Sequence, residues 1–233
     1  MSANRTFLLM GSGEFEPWSE EVERAALLDR PARVAICPTA SAPDGDEVFD
    51  RWASMGLEHY ADTGVKAEVV PLRTRTDAER PQAAAAIEGA GMVFFSGGNP
   101  RYLADTIRET AFWEALDRAL DAGTVYAGCS AGAMVAGRRP ESRPRFGAAW
   151  VSGLGLVDGG SFGVHWDRAR YIPGLRAFVT SKSGGGWFAG IDERTAILGD
   201  GSEWQVYGLG SVSFRLDGST RRLRVGQRFS TPA

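Results

Sequence analysis

The chain has 233 residues, 43% hydrophobic and 24% charged, with a formal charge of −3 at neutral pH. That length supports one substantial core, and the near-balanced charge supplies no electrostatic footprint for nucleic acid or an anionic membrane. No apolar run approaches the roughly 20 residues of a membrane helix, and no signal-peptide cleavage pattern follows "MSANRTFLLM", so a cytoplasmic protein with a single domain over residues 1–233 is expected.

Taken in order, the β-rich runs are "TFLLMG" (6–11), "RVAICPT" (33–39), "AEVVPL" (67–72), "MVFFSGG" (92–98) and "TVYAGCS" (124–130). They begin roughly 25 to 35 residues apart, the spacing of βαβ units around a parallel sheet. Helical patterns lie between them. "EEVERAALLDR" (20–30) sets charges opposite Val22, Ala25 and Ala26, and "DEVFDRWASMGLEHY" (46–60) places Val48, Trp52 and Met55 on one face. "RPQAAAAIEGAG" (80–91) and "TAFWEALDRALDAG" (110–123) each stop near a glycine. In the last third, two Asp-Gly turn signals sit between alternating strands. These strands are expected to finish the sheet edge in antiparallel fashion. The fold class is therefore α/β, a doubly wound and mostly parallel sheet flanked by helices.

Cys37 and Cys129, the two cysteines, fall at buried strand ends and suit reduced core thiols. His59 and His165 are the only histidines, which argues against a multi-histidine metal centre. No metal and no cofactor are expected.

The turn "GCSAG" (128–132) fits a nucleophile elbow, where a strand reverses into a helix and only small residues fit beside the exposed serine. Ser130 is the candidate nucleophile, and the Ala131 N–H a candidate oxyanion donor. "FFSGGNP" (94–100) ends a neighbouring strand in Gly97-Gly98, where bare backbone can approach a substrate and supply the second N–H. A serine hydroxyl needs a base to take its proton. His165, in an irregular stretch after the elbow, is favoured over His59, which the helical pattern assigns to a solvent face or a helix end. The base needs an orienting acid, and Asp192, Glu193 and Asp158 all qualify by position. "GSGEFE" (11–16) lacks the third glycine of a dinucleotide loop and reads as a loop lining the crevice. "GRRPESRPR" (137–145) and "KSGGGW" (182–187) read as surface loops.

Taken together, "GSGE", "ICPTAS", "FFSGGN", "GCSAGA", "GLGLV", "HWDRAR", "GIDERTA" and "VYGLGSV" occur in an order that resembles the serine peptidases that include aspartyl dipeptidase (dipeptidase E) and cyanophycinase. The resemblance implies a class I glutamine amidotransferase-like fold. It implies Ser130 as nucleophile, His165 as base, Gly98 and Ala131 as oxyanion donors, and Glu193 as the acid of the cyanophycinase branch. The resemblance leaves the substrate class divided between the two branches. A small-peptide substrate is expected, with Asn99 as a binding residue. Arg168 and Arg170 are candidates to hold a carboxylate by bidentate contact, a surface ion pair being the alternative. Asn99 matches the dipeptidase pattern, whereas Gly163-Val164 replaces the Asp-Gln that precedes the histidine in cyanophycinase. Cyanophycin-like Asp–Arg units, an ester, or a non-catalytic binding role are the alternatives. No nucleic-acid or membrane partner is expected, and a homo-oligomer is left open.

Overall fold

A computed structural model describes residues 5–138, 153–182 and 186–232. The elements of the first half are β1 (Thr6–Met10), α1 (Glu20–Ala26), β2 (Arg33–Cys37), α2 (Asp46–Asp62), β3 (Lys66–Val69), α3 (Arg75–Ala78), α4 (Pro81–Ile87), β4 (Met92–Phe95), α5 (Pro100–Ile107), α6 (Ala111–Asp121), β5 (Val125–Cys129) and α7 (Ala131–Ala136). The second half adds β6 (Gly160–Gly163), α8 (Trp166–Ala169), α9 (Leu175–Lys182), β7 (Trp187–Ile191), β8 (Thr195–Gly199), β9 (Glu203–Gly208), β10 (Ser211–Leu216), β11 (Ser219–Arg224) and β12 (Arg228–Ser230).

The larger sheet has eight strands in the order β12-β9-β8-β1-β5-β4-β2-β3. Strands β1 to β5 run parallel, and β8, β9 and β12 extend one edge antiparallel. β4 and β5 are buried along their whole length, as strands covered by helices on both faces must be. β3 is the partly exposed edge. The direction of strand addition reverses between β2 and β4, so the loops after β2, β4 and β5 border the crevice where open α/β sheets place ligands.

Two expectations are corrected here. The C-terminal third does not only finish the edge, because β6, β7, β10 and β11 build a second sheet of four strands in the order β11-β10-β7-β6. The chain leaves the smaller sheet at Ile191 and enters the larger one at Thr195. Aromatic rings weld the two: Trp187 of β7 meets Trp204 of β9 at 5.9 Å, and Phe214 of β10 meets Phe229 of β12 at 4.8 Å. Such pairs contribute about 0.5–1.5 kcal/mol each beyond the area they bury, so the sheets are held in one relative placement. The Asp217-Gly218 turn between β10 and β11 has φ of 49° and 78°, as an Asp-Gly hairpin requires.

The second correction concerns α2. Its buried stripe is Phe49, Ala53, Gly56 and Tyr60, one residue displaced from the Val48–Trp52–Met55 face, and Met55 is exposed. Gly56 carries no apolar weight in a periodicity count, yet it is where the helix presses on Ile36: a Cβ there would lie 2.8 Å from the Ile36 Cδ1. The rotation turns His59 inward, and its Nε2 meets the buried Glu23 Oε2 at 2.7 Å. Burial alone would lower the imidazole pKa, but the Glu23 hydrogen bond and charge outweigh it and raise it. Residues 139–145 and 183–185 of the two expected surface loops lie outside the described residues.

Candidate active site

The elbow is built by close packing. Gly128 and Gly132 face each other across the turn, and a Cβ on Gly128 would fall 2.4 Å from the Gly132 carbonyl carbon. The buried Tyr126 hydroxyl donates to the Gly132 carbonyl at 2.8 Å and pins the first turn of α7. Ser130 sits between strand and helix at φ 49°, ψ −106°, outside the regions L-residues favour. Such a conformation costs on the order of 1–3 kcal/mol and persists only where its surroundings over-determine it. Its N–H donates to the Met10 carbonyl at 3.0 Å, and its half-buried side chain reaches the surface of the crevice.

His165 lies on the other sheet, just after β6, in the left-handed region at φ 48°, ψ 39°. Trp166 beside it packs on β7 at Gly190, where a Cβ would lie 2.5 Å from the indole. The Ser130 Oγ stands 3.1 Å from His165 Nε2, and His165 Nδ1 stands 2.9 Å from Glu193 Oε1. Glu193 belongs to the crossing between the sheets. Its Oε2 accepts from Arg168 Nε at 2.8 Å, and its N–H donates to Asp167 Oδ1 at 2.9 Å. Both partners come from α8, the helix that follows His165, so imidazole and carboxyl group are located by the same turn of chain.

Of the three acids open at the sequence level, the structure brings only Glu193 to the imidazole. Asp192, its neighbour, points the other way: its Oδ2 accepts from the Ser211 N–H at 3.1 Å and the Ser211 hydroxyl at 2.5 Å. Asp158 is exposed in the turn before β6, where its carbonyl accepts from Trp187 Nε1 at 3.1 Å.

Gly98 adopts φ 139°, and a Cβ there would lie 2.4 Å from the Ala40 carbonyl group, so the position requires glycine. Among the described residues, neither the Gly98 N–H nor the Ala131 N–H makes a hydrogen bond.

The three expected binding residues have other partners. Asn99 caps α5, its Oδ1 accepting from the Tyr102 N–H at 3.0 Å. Arg168 grips Glu193. Arg170 stacks on the Tyr171 ring at 4.7 Å and donates to its hydroxyl at 2.6 Å. Arg168 and Arg170 do border a polar cleft of about 660 Å³ on the acid side of the site, with Glu16, Arg194 and Arg222. A larger hollow of about 1050 Å³ lies at the opposite end of the strands, lined by Ala84, Ala85, Ala115 and Ala119. His59 lies in the core as a partner of Glu23. Among the described residues no group of three or more His, Cys, Asp or Glu side chains is placed to hold a metal ion.

Two roles went unread in the sequence. Asp167 and Arg168 hold Glu193 through contacts 25 or more residues apart in the chain, for which no local pattern exists. Glu14 is buried below the elbow, where only the "GSGE" run hinted at an unusual loop.

The mostly parallel sheet flanked by helices, with a strand-to-helix turn after β5, agrees with the class I glutamine amidotransferase-like α/β fold that the resemblance implies. The chain belongs to peptidase family S51, whose model matches residues 7–207. It is 28% identical over 197 residues to cyanophycinases from Trichormus variabilis and a Nostoc species, an alignment that spans 78% of this chain and 62% of theirs. Among solved structures, a peptidase from an acI-B1 Actinobacterium superposes with a TM-score of 0.87 at 28% identity, covering 97% of this chain and 96% of that one. A putative peptidase E protein from Listeria monocytogenes EGD-e shares the fold, with a TM-score of 0.64 at 17% identity, covering 88% of this chain and 99% of that one.

Proposed function

We propose that the protein is a serine-type hydrolase that cleaves small peptides through an acyl-enzyme. The observation that carries the reading is the unbroken relay from Ser130 Oγ to His165 Nε2 at 3.1 Å and from His165 Nδ1 to Glu193 Oε1 at 2.9 Å. With Nδ1–H donating to Glu193, Nε2 is the acceptor that takes the serine proton as Oγ attacks the scissile carbonyl. The developing oxyanion is received by the Gly98 and Ala131 N–H groups, which have no competing acceptor among the described residues. His165 then returns the proton to the leaving amine, and water releases the acyl group by the same path in reverse. Arg168 holds Glu193 Oε2 and Asp167 holds the Glu193 N–H, which keeps Oε1 on the imidazole.

The cyanophycinases among the relatives favour a second reading, hydrolysis of Asp–Arg units. Gly163-Val164 offers no side-chain hydrogen bonds before the histidine, and polar groups are what discriminate a polar substrate, so the small-peptide reading is preferred.

The test is a mixed peptide library containing Asp-Xaa dipeptides and cyanophycin, digested by wild type and Ser130→Ala and read by mass spectrometry. Wild type is expected to release short products, and Ser130→Ala to lose at least about 10⁴-fold in turnover with an unchanged melting temperature. Full activity in Ser130→Ala would refute the nucleophile. Cyanophycin consumed ahead of every dipeptide would establish the second reading.

A further inference from the structure

We infer that Glu14 is a positioning residue for the hydrolysis proposed above: its carboxyl group ties the loop bearing the Gly98 N–H to the strand end bearing Ser130 and the Ala131 N–H. The inference rests on that reading of the site and names the side chain that keeps its two oxyanion donors in register.

Glu14 is only 4% exposed. Its Oε1 accepts from the Gly97 N–H at 2.9 Å, one residue before Gly98. Its Oε2 accepts from the Cys129 thiol at 2.8 Å, one residue before Ser130. A single side chain from the loop after β1 thus bridges the ends of β4 and β5, the two strands whose loops supply the donors. Neither partner reacts, and no described bond joins Glu14 to Ser130 or His165. Its action is therefore indirect, through the backbone.

The space around the bridge is tight. A Cβ on Gly97 would lie 3.2 Å from Glu14 Oε1 and 3.5 Å from Ser130 Cβ, so the loop backbone is wedged between the carboxyl group and the serine. Glu14 is itself held from both sides along the chain. Trp18 Nε1 donates to the Gly13 carbonyl at 2.6 Å, and the Phe15 ring packs on Phe94 of β4 at 4.9 Å. Burial first, and then the charge of Glu14, push the Cys129 thiol pKa well up, so Cys129 stays the donor in this contact.

Burying a carboxyl group among backbone and thiol is costly unless its lone pairs are used. Here both oxygens are used, and on the two segments whose separation sets the width of the oxyanion site. Displacements of about 1 Å in such geometry cost about a hundredfold in rate, similar to removing one donor.

The experiment compares wild type with Glu14→Ala, Glu14→Asp and Glu14→Gln on a peptide that wild type cleaves in a Ser130-dependent way. A peptide aldehyde of the same sequence serves as oxyanion-forming inhibitor. Glu14→Ala is expected to lose tenfold to a hundredfold in kcat and in aldehyde affinity, with KM within about threefold and the pH midpoint of kcat unmoved. Glu14→Asp, too short to span both partners, is expected to fall part of the way. Glu14→Gln keeps an acceptor for Gly97 and is expected to recover most of the rate. If Glu14→Ala does not fold, the Asp and Gln pair carries the same comparison.

Amide hydrogen exchange at Gly97, whose buried N–H is the one Glu14 accepts from, measured by NMR in the same proteins, gives a readout that needs no turnover. Exchange there should accelerate at least about tenfold in Glu14→Asp relative to wild type. Wild-type kcat and aldehyde affinity in Glu14→Ala and Glu14→Asp, or unchanged exchange, would overturn the inference. A wild type without Ser130-dependent hydrolysis would instead overturn the preceding reading and the positioning role with it, and exchange would still decide whether the tether exists.

Discussion

The two sides of the candidate site are built by different physics. The Ser130 side belongs to the eight-stranded sheet, where β4, β5 and the strand-to-helix turn are buried and backbone touches backbone. The His165–Glu193 side belongs to the four-stranded sheet and its crossing. His165 keeps 43% of its side-chain surface exposed there, and Glu193 21%. On the first side position is enforced by excluded volume around buried hydrogen bonds from Tyr126 and to Glu14, and the turn glycines tolerate no added atom. On the second it is enforced by hydrogen bonds and one exposed arginine, which tolerate substitution but respond to charge and salt. Under the proposed mechanism, the serine is held in a strained conformation, whereas the imidazole changes its protonation state. Rigid packing suits the former and polar surroundings the latter.

The sharpest way to break this contrast is to add volume on the packed side. Gly132→Val would put a Cβ 2.3 Å from the Phe95 carbonyl oxygen. It is expected to destabilise the protein by about 3 kcal/mol or more, measured as a lower urea midpoint, with activity lost at the same time. A variant that melts like wild type would show that the elbow can relax.

On the polar side, Glu193→Gln is expected to fold normally and lose on the order of a hundredfold or more in kcat, because the imidazole loses its orienting charge. Asp192→Asn should do the reverse. It weakens the bonds to Ser211 and costs about 1–3 kcal/mol of stability, while kcat changes only a few-fold. Equal kinetic effects at 192 and 193 would erase the distinction between the two acids.

Smaller still is Arg168→Ala. The Arg168 side chain is 72% exposed, so its pair with Glu193 is screened. A few-fold loss of kcat is expected, and the gap from wild type should narrow as salt is raised. A loss as large as that of Glu193→Gln would mean that Arg168 touches substrate.

The smallest effect sits far from the crevice, at the buried His59–Glu23 pair. The folded imidazole pKa is raised above the ordinary value near 6.5. Its stabilising contribution is complete below the unfolded value and is lost as pH climbs through the folded one. The melting-temperature gap between wild type and His59→Gln should therefore be wider at about pH 5.5 than at about pH 9. A gap that widens with pH would reverse the sign of the coupling.

Much of the packed side was legible in the residues. Short buried strands at regular intervals announce a parallel sheet, and Gly128, Ser130 and Gly132 announce a tight reversal, because steric demands act on neighbours in the chain. The α2 face was misjudged for a related reason: Gly56 contributes through what it lacks, which a hydrophobic pattern does not register. The second sheet was missed because β6, only four residues long, and β7 pair with each other, and β7 pairs with β10, through contacts that no local signal encodes.

By itself, the sequence determined which residues could do chemistry: two histidines, an elbow serine and a few acids near a turn. Only the tertiary structure decided among them. The aromatic seam between the sheets carries His165 to Ser130 across 35 positions and turns Glu193 toward the ring while Asp192 faces Ser211. Covalent neighbours share steric constraints that can be read along the chain. Partners in a relay are selected by where packed sheets place them, and that depends on the whole core at once.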